Sequence, residues 1–170
     1  SLQSLQDWGA LKLFDENIQI DQTWSIRINT AKELNINLIT SFISIAKDPE
    51  SLAKRLQLSS KEQKIIQQSI KFKSIISKIE SSKEYLDWLP SKWTQTIEEL
   101  NLEPETIGLE ICSGNSLEKH LLMWFKSWRF IKSPKTGLEL IKEGWQPGPM
   151  LGEEIKKRRQ NIIDQQYQEN

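Results

Sequence analysis

The residues of this chain best suited to chemistry are lysines placed at a fixed interval. Lys64, Lys71 and Lys78 follow one another seven residues apart. In an α-helix, which rises roughly 1.5 Å per residue, this interval puts the three ammonium groups on one face, about 10 Å apart. Such a row can follow the phosphates of a nucleic acid backbone, although a solvated helix shows the same pattern. The three lysines are therefore candidate phosphate-binding residues.

A second group of basic residues lies near the C-terminus, around a turn rich in glycine and proline. The group consists of Lys142, Lys156, Lys157 and Arg159. The turn, residues 144–149, reads Gly-Trp-Gln-Pro-Gly-Pro, and we expect Gly144 to end one helix with a positive φ and Pro149 to begin the next. Gly152 follows within one turn, where the missing side chain would let another backbone or a phosphate approach closely.

The residue types of the chain give little support for a catalytic site or a metal site. The 170 residues include one cysteine, Cys112, and one histidine, His120. An intramolecular disulfide is impossible, and a Cys/His zinc site has too few ligands. His120 has no second ligand, so we interpret it as structural. Glu103 and Glu105 flank Pro104 in a way that is typical of a helix start, and we predict no catalytic residue and no metal ligand.

The charges sum to zero but are segregated along the chain. Residues 47–83 carry 9 basic and 4 acidic side chains, residues 84–110 carry 1 and 7, and residues 126–159 carry 9 and 4. Two basic segments flanking an acidic one can produce a local positive field on a neutral molecule. The simpler interpretation is that acidic and basic helices partly pair with each other and that the other charges are solvated.

The elements that must position these residues are helices. Helical periodicity and the small number of glycines predict an all-α fold, an irregular bundle of about eight to ten helices. The clearest helix spans residues 59–81, where Ser59 and Glu62 form a capping box and Ile65, Phe72, Ile76 and Ile79 share one face. Residues 18–28 place apolar side chains at even positions, which fits a strand as well, and we expect helix from about residue 23.

The second half of the chain shows further helix starts. We predict N-caps at Ser91 and Ser116, the latter before an apolar stripe formed by Leu117, Leu121, Trp124, Trp128 and Ile131. We expect this stripe to be core rather than a platform for stacked bases. The predicted division is a neck and body region over residues 1–84 and a tail region over residues 85–170.

The chain carries no pattern of membrane insertion or export. No run reaches the ~18 consecutive apolar residues of a membrane span, and the start lacks the basic and apolar pattern of a signal peptide. We therefore expect a cytoplasmic protein without a membrane partner. Because the chain starts without methionine and within a helix-like pattern, we expect a processed chain or a fragment of a longer protein.

Residues 137–152, Gly-Leu-Glu-Leu-Ile-Lys-Glu-Gly-Trp-Gln-Pro-Gly-Pro-Met-Leu-Gly, resemble the C-terminal region of bacterial tRNA nucleotidyltransferases and the related poly(A) polymerases. The family pattern is a glycine, an acidic-leucine pair, a second glycine, Pro-Gly-Pro, an aliphatic residue and a glycine. The glycines and prolines that match it are Gly137, Gly144, Pro147, Gly148, Pro149 and Gly152. Glu139 stands where the family has aspartate. Residues 54–59 and the segment from Leu5 to Leu13 show fainter likenesses.

The resemblance implies a helical neck, body and tail that follow a catalytic head. The head's Gly-Ser turn and Asp-x-Asp strand, which hold two magnesium ions and a nucleoside triphosphate, are absent from this sequence. The resemblance thus implies a non-catalytic part that needs no cofactor of its own. It would bind tRNA or another structured RNA by shape and phosphate contacts and position the acceptor arm for its own N-terminal head. The choice among adding CCA, CC, A or poly(A) would belong to that head.

A different class of function is also compatible with the pattern. An all-α protein-interaction module would receive a partner helix in its apolar grooves and would not bind RNA. A self-contained enzyme is less compatible, because the sequence offers no convergent nucleophile, base and orienting group.

Overall fold

The computed structural model describes residues 22–168, and this part of the chain is all-α, as predicted. It contains nine α-helices, two short 3₁₀ turns over Glu84–Asp87 and Trp128–Phe130, and no strand. The helices are α1 (Gln22–Glu33), α2 (Leu38–Ile43), α3 (Pro49–Arg55), α4 (Ser60–Ser82), α5 (Pro90–Glu99), α6 (Pro104–Ile111), α7 (Glu118–Lys126), α8 (Gly137–Lys142) and α9 (Pro149–Gln168). Helix is therefore confirmed from residue 22, whereas residues 18–21 lie outside the described residues.

Side-chain caps explain where several helices begin. At the start of α4 the Glu62 backbone N–H donates to the Ser59 hydroxyl at 3.3 Å, and the Ser59 N–H donates to the Glu62 carboxylate at 2.9 Å. The predicted capping box is thus confirmed. Thr136 and Glu139 form a second one at α8. Glutamate at the third helical position suits this geometry, which gives a local reason for Glu139.

Two predicted caps are wrong, because the serines bind other helices instead. α5 begins at Pro90, and Ser91 in its first turn donates its hydroxyl to Asp164 of α9 at 2.7 Å. α7 begins after Leu117, and the Ser116 hydroxyl donates to Glu80 of α4. Both serines therefore connect helices that are distant in sequence.

The main hydrophobic core lies among α1, α4, α5, α6, α7 and α9. The predicted apolar face of α4 is confirmed, since Ile65, Phe72 and Ile76 are buried in this core. The apolar stripe that begins at Leu117 also belongs to the core, but its helix ends at Lys126, and Trp128 follows in a 3₁₀ turn. Core residues come from both sides of the predicted boundary between residues 84 and 85. Just before this boundary Lys83 caps the C-terminal end of α4 in a left-handed conformation (φ 57°). The two-region division stays a prediction.

A side chain packs closely against the helix backbone at Gly108, whereas Gly152 lies in open space. A Cβ atom built on Gly108 of α6 would lie 2.4 Å from Ile36 Cδ1, so only glycine fits there without movement. A Cβ atom on Gly152 would meet no atom of the described chain within 4 Å. The expected approach of another backbone to Gly152 is therefore wrong.

None of the helices between residues 22 and 168 combines the length and the apolar character needed to cross a membrane.

Candidate nucleic-acid interface

The predicted lysine row exists as a geometric feature of α4. This helix runs unbroken for 23 residues, so Lys64, Lys71 and Lys78 keep their seven-residue spacing on one face. All three side chains are exposed. The row is therefore positioned as the sequence predicts. Its three lysines differ in whether they form an ion pair with a carboxylate of the described chain.

The first lysine of the row is paired within the protein. Lys64 Nζ lies 2.8 Å from a carboxylate oxygen of Glu103, and Lys61, one turn earlier, lies 2.8 Å from Glu105. The hydrogen bond from Lys61 holds the pKa of Glu105 below its usual range and raises the pKa of Lys61. Both acids stand at the start of α6, where a negative charge also complements the helix dipole. The N-terminal end of the row thus connects α4 to α6.

The other two lysines of the row face solvent. Lys71 and Lys78 are exposed, and neither makes an ion pair or a side-chain hydrogen bond with residues of the described chain. They lie two helical turns apart, about 10 Å along the axis. These two ammonium groups can therefore bind an external anion without breaking an internal contact.

Arg159, in the C-terminal group, has a structural role that the sequence does not reveal. Its Nη1 and Nη2 atoms donate to the two oxygens of Glu98 at 2.7 and 2.8 Å, and its Nε donates to the Ile131 carbonyl at 2.7 Å. The hydrogen bond with Glu98 raises the pKa of Arg159. This half-buried side chain therefore joins α9 to α5 and to the segment after α7.

The lysines of the C-terminal group remain exposed. Lys142 ends α8, and Lys156 and Lys157 are adjacent on α9. Within the part of the chain that the structure describes, none of the three makes an ion pair. Five of the seven predicted phosphate-binding residues thus carry charges that face solvent.

The turn between α8 and α9 has the predicted backbone. Gly144 takes a φ of +103° and Gly148 a φ of +147°, values that favour glycine, and Pro149 is the first residue of α9. Gly137 begins α8, where a Cβ atom would only touch Ile155 at 3.5 Å, and Pro147 is exposed. The glycines and prolines of residues 137–152 therefore determine the path of the chain between α8, which carries Lys142, and α9, which carries Lys156 and Lys157.

The segregated charges partly neutralise each other in space. Glu98, Glu103 and Glu105, all from the acidic segment, bind one basic side chain each from the two flanking basic segments. Partial pairing of acidic and basic helices is thus confirmed.

The single histidine and the single cysteine occupy structural positions. The His120 ring stacks on Trp93 with centroids 4.7 Å apart, and burial, together with Lys119, lowers the pKa of His120. Cys112 is buried, which raises the pKa of its thiol to about 11. No group of three or more His, Cys, Asp or Glu side chains among the described residues could hold a metal ion.

A cavity that sequence reasoning missed lies between α5, α6, α7 and the second 3₁₀ turn. Its volume is about 340 Å³, and Arg129 and Phe130 are among its lining residues. The Arg129 guanidinium lies 4.4 Å from the ring centroid of Phe130 and 4.4 Å from that of Phe125. The sequence signal for it is the alternation of aromatic and basic residues in Trp124-Phe125-Lys126-Ser127-Trp128-Arg129-Phe130, of which the predicted core stripe includes only Trp124 and Trp128.

Comparison of the chain with protein-family models, curated proteins and solved structures finds no match. The resemblance to the nucleotidyltransferase family stays a prediction made from the residues.

Proposed function

We propose that this chain binds tRNA or another structured RNA through phosphate contacts, as the non-catalytic body and tail of a nucleotidyltransferase-like protein. Magnesium and nucleoside triphosphate would be bound by an N-terminal head, which is also its protein partner. The proposal extends the resemblance of residues 137–152, and the exposed lysines support it.

The observation that carries the proposal is that the ammonium groups of Lys71 and Lys78 are exposed and have no ion-pair partner within the described chain. Long-stemmed ammonium groups repeated along one rigid helix suit a polyanion better than a single small anion, because their separation is fixed. Lys142, Lys156 and Lys157 add three more exposed charges on α8 and α9. Recognition would be by shape and backbone charge, because side chains cannot enter the deep, narrow major groove of A-form RNA.

Charge reversal on α4 tests this proposal. The Lys71→Glu/Lys78→Glu variant should bind tRNA at least about tenfold more weakly than the unchanged chain in a low-salt binding titration. Its helical circular-dichroism signal should not change, since both lysines are exposed and neither makes an ion pair or a side-chain hydrogen bond within the described chain. The matched control is Lys32→Glu/Lys119→Glu, which reverses two exposed lysines on α1 and α7.

The control comparison is repeated at about 0.15 M salt, where charges are screened beyond roughly 8 Å. There the control should stay within about twofold of the unchanged chain. Equal losses in the two variants would mean that binding depends on net charge and not on α4, and the proposal would fail. It would fail equally if the folded Lys71→Glu/Lys78→Glu variant kept full affinity.

A second candidate function, the protein-interaction module, is favoured by apolar side chains beside the glycine-proline turn. Leu138 is 75% exposed and Met150 is 74% exposed. Leu138 lies on α8 and Met150 on α9, the two helices that the turn joins, and exposed apolar patches are typical of contact sites for another protein. The same titration separates the two candidates, since this module would not bind tRNA even at low salt.

A further inference from the structure

We infer that the cavity beside Arg129 and Phe130 receives one unpaired nucleobase of a bound RNA. The inference rests on the proposed RNA-binding function and names a subsite within it. Its volume of about 340 Å³ lies at the small end of the ~300–1,000 Å³ range of ligand pockets. That space is large enough for a single flat ring system.

Phe130 supplies an aromatic surface for stacking. Phe130 is 62% exposed, whereas most of the other aromatic residues in the described part of the chain are buried. The Arg129 guanidinium covers the ring at 4.4 Å, leaving the rest of the ring open to solvent. Unpaired bases stack on aromatic rings, and the exposed part of the Phe130 ring offers such a surface.

Arg129 also retains donors for a phosphate or a base edge. Its Nε donates to the Phe125 carbonyl at 2.6 Å, and this bond fixes the guanidinium plane. Its two terminal nitrogens have no hydrogen-bond partner among the described residues, and no carboxylate of that part lies within ion-pair distance. Glu98, the acid that lines the cavity, is already bound by Arg159.

One further lining residue has a polar group that a base could satisfy. Asn101 is held in a left-handed conformation (φ 50°) in the turn between α5 and α6. One amide N–H of Asn101 donates to the Glu99 carbonyl at 3.4 Å. Its second N–H and its Oδ1 offer the donor and the acceptor that base edges pair with.

The position of the cavity fits an RNA held by the exposed lysines. Glu103 precedes the lining residue Pro104 and binds Lys64 of the α4 row. On the other side, Arg159 holds Glu98, and Lys156 precedes Arg159 by about one turn of α9. Residues at or beside the cavity thus bind one basic side chain from each basic segment, and an RNA strand held along both segments would pass close to it.

The test uses two RNA ligands and conservative variants of Phe130. The first ligand is a hairpin with 2-aminopurine as an unpaired loop base, whose fluorescence is quenched by stacking; the second is the same stem as a blunt duplex. The unchanged chain should quench the hairpin and bind it more tightly than the duplex. Phe130→Leu should weaken hairpin binding by about 5- to 150-fold, abolish quenching and leave duplex binding within about twofold. Phe130→Tyr, which keeps a ring, should retain both properties.

The outcomes separate this inference from the function on which it rests. If the unchanged chain binds both RNAs but Phe130→Leu changes neither affinity nor quenching, no base stacks there and the inference is overturned, while RNA binding stands. If the unchanged chain binds neither RNA, both fail. Adenosine monophosphate should bind far more weakly than the hairpin; equal affinity would assign the cavity to a free nucleotide and overturn the assignment to RNA.

Discussion

At the scale of single residues, the partner of a side chain decides whether its charge is available. Lys64 and Lys71 are both exposed lysines of one row, yet Lys64 binds Glu103 and Lys71 binds nothing in the described chain. Arg159 follows two exposed lysines in sequence but holds Glu98 through two hydrogen bonds. Substitution of Lys64 or Arg159 would therefore disturb the packing of α6 or α9 in addition to any contact with RNA.

His120 gives a prediction about pH. Burial lowers its pKa in the folded protein, so the unfolded state, with a pKa of about 6.5, binds the proton more readily. The contribution of neutral His120 to stability is complete above the unfolded pKa and is lost as pH falls through the folded pKa. Urea unfolding should thus show a decreasing free energy of unfolding between pH 7.5 and 5.5.

The matched variant is His120→Phe, which keeps a ring against Trp93 and removes the titration. Because the chain has one histidine, this variant should lose most of the pH dependence in that range. An equal decrease in both proteins would show that another group is responsible.

At the scale of elements, Gly108 and Gly152 differ in the space around their backbones, which is filled by side chains in one case and empty in the other. Gly108→Ala should destabilise the protein by about 1–3 kcal/mol, because its Cβ atom would overlap Ile36, which is buried. Gly152→Ala is the control: it adds the same atom in open space on α9 and should stabilise by up to about 1 kcal/mol. Urea denaturation measures both. Indistinguishable effects would contradict the close approach of α6 to Ile36.

The helices were predictable where local chemistry sets their ends. The capping box at Ser59, the positive φ of Gly144 and the start at Pro149 depend on neighbouring residues only, and all three are confirmed. Ser91 and Ser116 were assigned wrongly because their partners, Asp164 and Glu80, lie far away in sequence. For the same reason periodicity could not reveal the Arg159–Glu98 bond, which joins residues 61 apart.

At the scale of the whole molecule, some of the segregated charges pair helices with one another. Other charges, among them several lysines, stay without an ion-pair partner in the described chain. The acidic segment pairs with Lys61, Lys64 and Arg159, and the first two pairs, which are exposed, contribute little to stability. The unpaired lysines on α4, α8 and α9 remain on a chain whose net charge is zero. Neutrality overall is therefore compatible with a local positive surface.

The central claim is that these unpaired lysines bind RNA phosphates, and the salt dependence of tRNA affinity tests it most directly. Each neutralised phosphate contributes about −0.9 to the slope of log K against log salt. Contacts by Lys71 and Lys78 alone predict a slope near −2, and contacts by all five exposed lysines predict about −4.5. Absence of binding at the lowest salt, or a slope near zero while circular dichroism shows intact helices, would contradict the claim.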